Sequence, residues 1–229
     1  MSDTSFLYHV RIWDLPTRVF HIVLALAVSG LVVTGEVGGN AMQVHFLLGY
    51  LVLALVLFRL VWGVFGGHWS RFVNFVPRPA YLIGYVQSLR AKKTAHHVGH
   101  NPLGALSVLG MLTVLLLQVL SGFMSDDEIS NSGPWVALVS GDWVSLATQY
   151  HGDIGKVLLI ILVLLHVATV LFYKRVKNVD LITPMLTGDK VLPTQTPESR
   201  DTLTSRLFAL SILAGCMYTV YRLVNVGFN

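Results

Sequence analysis

Cysteine is almost missing from this chain: of 229 residues, only Cys216 carries a thiol. An internal disulfide is excluded. So are cysteine-ligated iron–sulfur clusters, Cys-rich zinc sites and the Cys-x-x-Cys-His attachment of a c-type haem. Charge is scarce too. Asp, Glu, Lys and Arg make up 12% of the residues and hydrophobic side chains 54%, whereas a soluble domain carries about 25% charged residues. The mean hydropathy of +0.65 agrees. The opening residues, 1–17, are polar and charged and lack the apolar core and small-residue site of a cleavable signal. The net charge of +4 would suggest nucleic acid in a soluble protein. Here the basic residues sit in particular loops, so the excess is read as membrane topology and no nucleic acid is expected.

What the chain does contain is long apolar runs, at 19–33, 46–65, 103–123 and 154–173, with a shorter fifth at 207–220. Crossing the hydrocarbon core takes roughly 20 helical residues. The first four runs qualify once their ends extend into the interface, and the fifth is expected to span as well. Helix is the only option, because in lipid each backbone amide needs a partner within its own segment and these runs lack the alternation of barrel strands. The connectors differ in sign. Residues 71–101 hold Arg71, Arg78, Arg90, Lys92 and Lys93 and no acid; residues 124–150 hold Asp126, Asp127, Glu128 and Asp142 and no base. The first connector carries only Glu36, and Lys174, Arg175 and Lys177 follow the fourth run. The positive-inside rule then sets the N-terminus in the cytoplasm. Asn101 and Pro102 predict an N-cap and first helical residue for the third span. The five tryptophans all fall near expected interfaces. Residues 191–202 read as a loop before the last helix. The organisation expected is a transmembrane domain over 1–190, then a loop and additional helix over 191–229.

Nine histidines are present. His9, His68, His96, His97 and His100 fall outside the spans and read as solvated or interfacial. His21, His45, His151 and His166 fall within spans or at their ends, where a ring has two nitrogens to satisfy. Taken singly, each is accounted for as an interfacial residue or a helix–helix hydrogen-bond donor. Their depths argue otherwise. With the N-terminus inside, His21 and His166 lie toward the cytoplasm, and His45 and His151 toward the outside. Two imidazoles per iron is the ligation of a low-spin b-type haem. His151 and His166 are separated along one helix by about 22 Å of rise and lie within about 60° of one face, which suits two stacked haems. Gly49 and Gly155 each lie one turn after a histidine, where a side chain would press on a porphyrin. Close helix packing explains glycines there too.

The run Trp13, Asp14, Leu15, Pro16, Thr17, Arg18, Val19, Phe20 and His21 resembles the start of the bacterial cytochrome b561 family. That family includes the b-type cytochrome subunit of nickel–iron hydrogenases and stand-alone di-haem cytochromes. The resemblance continues through His45 to Tyr50, Phe58 to Gly66, Ser70 to Phe72, Gly99 to Gly104, His151 with Gly155, His166, and Met185 to Lys190. It implies an all-α membrane protein: a four-helix haem-binding bundle with a further C-terminal helix. It implies two haem b groups, the inner on His21 and His166 and the outer on His45 and His151. It implies electron exchange between membrane quinone and a partner: a c-type cytochrome, a hydrogenase or a small oxidant.

Other residues have two readings each. Arg18, Arg59 and Arg71 suit anionic propionates and equally suit positive-inside anchors that snorkel. His100 and Asn101 could face quinone or propionate, or form a polar helix start. Lys156, in the turn after His151, could neutralise a propionate or reach the outer surface. A rival function is a metal-ion transporter using intramembrane histidines, but such proteins add mid-membrane carboxylates, which these spans lack. A purely structural anchor would not pair its histidines by depth.

Overall fold

The structure, a computed structural model, describes residues 7–90 and 97–226. Lys92, Lys93 and His96 lie outside the described residues. In chain order, strand β1 (Tyr8–Arg11) leads to helices α1 (Leu15–Val37), α2 (Met42–Phe65), α3 (Phe72–Phe75), α4 (Pro79–Arg90), α5 (Pro102–Phe123), α6 (Gly141–Gln149), α7 (Lys156–Arg175) and α8 (Ile182–Thr187). Strand β2 (Asp189–Leu192) and helix α9 (Leu203–Asn225) follow. Between α6 and α7, residues Tyr150–Gly155 wind as a π-turn. Gly141–Arg175 is therefore one continuous helix of 35 residues.

Among the described residues, five helices are long and apolar enough to cross a membrane, as the all-α membrane class requires. The last spans 23 residues, well beyond the apolar run 207–220, because polar side chains at both ends still favour helix. Leu26, Leu47, Ile161, Leu164, Leu165 and Leu210 are exposed along these helices. In water that would be costly; in lipid the outward face is the apolar one. His151 departs from the sequence expectation. It lies inside a continuous helix rather than at a span's start. The preceding turn of polar residues in α6 hides the helix from a hydropathy reading. Likewise α4 occupies part of a segment that reads as a connector.

The chain divides into two compact units. The first comprises Met1–Val19, Val61–Leu109 and His166–Ala209; the second, Phe20–Leu60, Gly110–Leu165 and Leu210–Asn229. In the first, β1 and β2 pair antiparallel with Tyr8 opposite Leu192 and Arg11 opposite Asp189. Val10, Ile12, Trp13 and Leu192 form a small core beneath this ribbon, with Trp69, Val98 and Met185 packed on it. Residues past the ribbon tie back to it. Ser199 Oγ donates to the Ile12 carbonyl at 2.6 Å, and Arg11 meets Asp201 at 2.6 Å and Asp189 at 2.5 Å. In the second unit the buried side chains include those of α1 (Phe20, Leu24, Ala27, Val28), α2 (Val52 to Val56, Phe58), α5 (Leu112, Leu115, Val119, Phe123), α7 (Leu159) and α9 (Cys216, Val220).

Asp14 organises the start of α1. It is fully buried. Its Oδ1 accepts from the Thr17 N–H at 2.8 Å, an N-cap bond, and from Trp62 Nε1 at 3.0 Å. Its Oδ2 accepts from the Gly67 N–H at 3.1 Å and Ser70 Oγ at 2.7 Å. Trp62, expected in an interfacial belt, is therefore a core residue, 1% exposed. Its N–H is satisfied by a carboxylate instead of by interfacial water.

Candidate functional site

Two of the membrane histidines meet in the second unit. His45 lies one turn into α2 and His151 in the π-turn. Their ring centroids are 6.1 Å apart and the ring planes stand at 82°. The Nδ1 of His45 is 3.1 Å from the Leu31 carbonyl and 3.2 Å from Thr34 Oγ1. The Nδ1 of His151 is 2.8 Å from the Gln118 carbonyl and 3.4 Å from Ser121 Oγ. A carbonyl can only accept, so each Nδ1 carries the proton and each Nε2 offers its lone pair. This is the arrangement by which proteins orient metal-binding imidazoles.

The spacing fits an iron. Two Fe–N bonds of about 2 Å, with about 1 Å more from each nitrogen to its ring centre, give roughly 6 Å between centroids. The two rings also line one cavity of about 270 Å³, walled mostly by apolar side chains of α1, α2, α5 and α7. Gly49 lines it as well, and a Cβ there would meet nothing within 4 Å. A flat macrocycle could lie against that open backbone. Gly122 serves the ring itself: a Cβ at that position would stand 2.8 Å from His151 Cε1. Gly35 does the same for His45 at 3.2 Å.

Gly155 stands elsewhere. A Cβ on it would collide with Gln118 Oε1 and approach the Tyr150 ring at 2.7 Å, so its neighbours are a packed helix and a tyrosine. Lys156 lines the cavity and pairs with Glu36 at 2.9 Å, both side chains largely exposed. His21 lies half-buried on α1 in the second unit, and His166 half-buried on α7 in the first. Arg59 is buried on α2.

In the first unit, Arg18 donates to the Leu186 carbonyl. The Nε atoms of Arg18 and Arg71 are buried with no hydrogen-bond partner among the described residues. Such guanidinium faces are suited to an anion. His100 is packed between aromatic rings, 4.8 Å from Trp13 and 4.6 Å from Phe75 by centroid. Asn101 caps α5 as its sequence position requires, accepting from the Gly104 N–H at 2.8 Å, and it donates to the Tyr173 hydroxyl at 3.0 Å. Burial and a hydrogen bond with Tyr173 push the Tyr85 phenol up to about 12. Burial and the nearby Lys190 charge pull His97 down, and burial lowers Lys190.

Sequence reasoning overlooked Gln118, Ser121 and Thr34, which contact the two rings. Gln118 had a signal: it is the one amide side chain in α5, a helix whose other polar side chains are hydroxyls.

The chain is similar to known proteins along most of its length. The model of the prokaryotic cytochrome b561 family matches residues 12–188. A protein of Azotobacter chroococcum mcd 1 named "Probable Ni/Fe-hydrogenase B-type cytochrome subunit" is 26% identical over 222 residues, covering 82% of this chain and 91% of its own. A protein of that name from Cupriavidus necator is 25% identical over 210 residues, covering 77% and 85%. The Escherichia coli K12 "Probable Ni/Fe-hydrogenase 1 B-type cytochrome subunit" is 25% identical over 143 residues, covering 52% and 61%. No solved structure matches significantly.

Proposed function

The chain belongs to the prokaryotic cytochrome b561 family, and from that premise we propose that it carries electrons between membrane quinone and a redox partner through two b-type haems. It is a multi-pass membrane b-type cytochrome, and electron transfer is the family's business. The observation that carries the finer reading is the His45–His151 pair, held by two carbonyls at a spacing suited to one iron. His45 and His151 are the ligands of an outer haem, and His21 and His166 those of an inner one.

Haem b supplies a one-electron iron centre when bound, and its potential follows from axial ligation, burial and nearby charge. The residues of this chain do the rest. Leu31 and Gln118 hold the imidazole protons away from the cavity. Mostly apolar walls surround the two rings. Gly49 leaves room for a macrocycle at the backbone. Arg18 and Arg71 offer buried N–H groups to propionates of the inner haem. The N-terminus lies in the cytoplasm of a cell whose inner membrane holds the protein. Residues 1–190 form the haem-bearing domain, and 191–229 add an anchor helix.

The relatives' names point to a nickel–iron hydrogenase as the partner, with a c-type cytochrome or small oxidant as other electron partners. The test is spectroscopic. The purified protein is expected to show b-type α and Soret bands on reduction, at two haems per chain. A quinol should reduce both without dithionite. A colourless preparation, or bands that quinol leaves oxidised, would contradict it.

A further inference from the structure

Gln118 holds His151 at two points. Its backbone carbonyl takes the Nδ1 proton of the ring at 2.8 Å, and its side-chain Nε2 donates to the His151 carbonyl at 2.9 Å. The second bond has a local reason. In a π-turn the backbone ladder shifts from i→i−4 to i→i−5, and the Gln118 amide adds a side-chain donor to the His151 carbonyl. Ser121 Oγ adds to the grip, donating to the Gln118 carbonyl at 2.9 Å. The backbone around the clamp is cleared for it. Gly122 makes room for the His151 ring, and Gly155 for the Gln118 amide, since a Cβ at either would strike them.

One atom of the clamp is left over. Gln118 Oε1 is buried with no hydrogen-bond partner among the described residues. An unsatisfied buried acceptor is costly, and its presence calls for a role. Its partial negative charge sits against Gly155, four residues on from His151, and Gln118 itself is among the residues that line the cavity of His45 and His151. There it favours a more positive iron, and so does a firmly held Nδ1–H···O=C bond, which makes an imidazole a stronger donor.

We propose that Gln118 is a positioning residue that fixes His151 and sets the reduction potential of the haem held by His45 and His151. This rests on the reading that those two histidines hold a haem. Removing the amide loosens the His151 backbone and deletes the buried oxygen, and both changes make reduction easier.

The test is a spectroscopic redox titration of the full-length protein in detergent or nanodiscs. Gln118→Met keeps the length of the side chain without its dipole. It should bind two haems and raise the reduction equilibrium constant of the outer haem roughly tenfold, about 59 mV for one electron. The ferric EPR g values of that haem should move while the inner haem stays at the parent's potential. Gln118→Glu, which puts a carboxylate in place of the amide, should move the outer potential downward. An outer potential equal to the parent's in either variant that keeps the haem, or an equal shift of both haems, overturns the proposal. If the parent protein holds no haem on His45 and His151, the functional reading fails with it. An unchanged potential in a two-haem variant sinks only the role of Gln118.

Discussion

The indole N–H of Trp62 donates to the carboxylate of Asp14 at 3.0 Å, which joins the residue that caps α1 to one 48 positions later at the end of α2. The same carboxylate takes the Gly67 N–H and the Ser70 hydroxyl. Asp14→Ala would leave several buried donors without an acceptor, each costing about 1–3 kcal/mol. The expected loss is roughly 3 kcal/mol or more, seen as a lower thermal midpoint in detergent. Asp14→Asn keeps one acceptor oxygen and should lose less.

Arg11 grips Asp201 across 190 positions of sequence, and Arg206 takes the other oxygen at 2.9 Å. The Asp201 side chain is 6% exposed. Burial works to raise its carboxyl, but hydrogen bonds from Arg206, the Leu15 N–H and Arg11 outweigh it, and the group lies below the ordinary carboxylate range. A depressed folded value means that this stability is fully present above the unfolded value, about 4. It is lost as pH falls through the folded one. Asp201→Asn should therefore cost roughly 2 kcal/mol at pH 7 and less as pH falls below 4. Parallel denaturation of both proteins across that window checks this. An equal deficit at pH 3 would count against it.

The Lys156–Glu36 pair should matter little. Its side chains are 42% and 61% exposed, and exposed pairs contribute at most about 1 kcal/mol. Glu36→Gln is expected to change stability by less than about 0.5 kcal/mol, measured by denaturant titration.

Gly122 is a sharper site. A Cβ there falls 2.8 Å from the His151 ring, and the ring, held by Gln118, has little freedom to give. Gly122→Val is expected to displace the ring and abolish binding of the outer haem, leaving one haem per chain by pyridine haemochrome assay. Two haems in this variant would show that the ring can shift freely.

Most of the architecture was legible because lipid imposes simple rules. A run of about twenty apolar residues crosses lipid as helix, and Asn101 before Pro102 carries the pattern of an N-cap. His45 and His151 could be matched in depth from the signs of the loops alone. Other features were not legible, for physical reasons. The pairing of Tyr8–Arg11 with Asp189–Leu192 is a contact between distant segments too short to carry a periodicity. The π-turn around His151 adds one residue to a helix, which hydropathy cannot register. Trp62 looks interfacial by type, and only the distant Asp14 reveals why it is buried. Gln118, overlooked in the sequence, is a lone amide in a long apolar run, and its partner could not be named without the fold.

The most direct test counts haems in single histidine variants of the purified protein. His45→Ala and His151→Ala should each leave one b-type haem per chain, and it should be the same haem in both, with one α-band position and one potential. His21→Ala and His166→Ala should each leave the other. Two haems retained in His45→Ala or His151→Ala, or different haems lost from those two variants, would contradict the shared grip of these imidazoles on one iron.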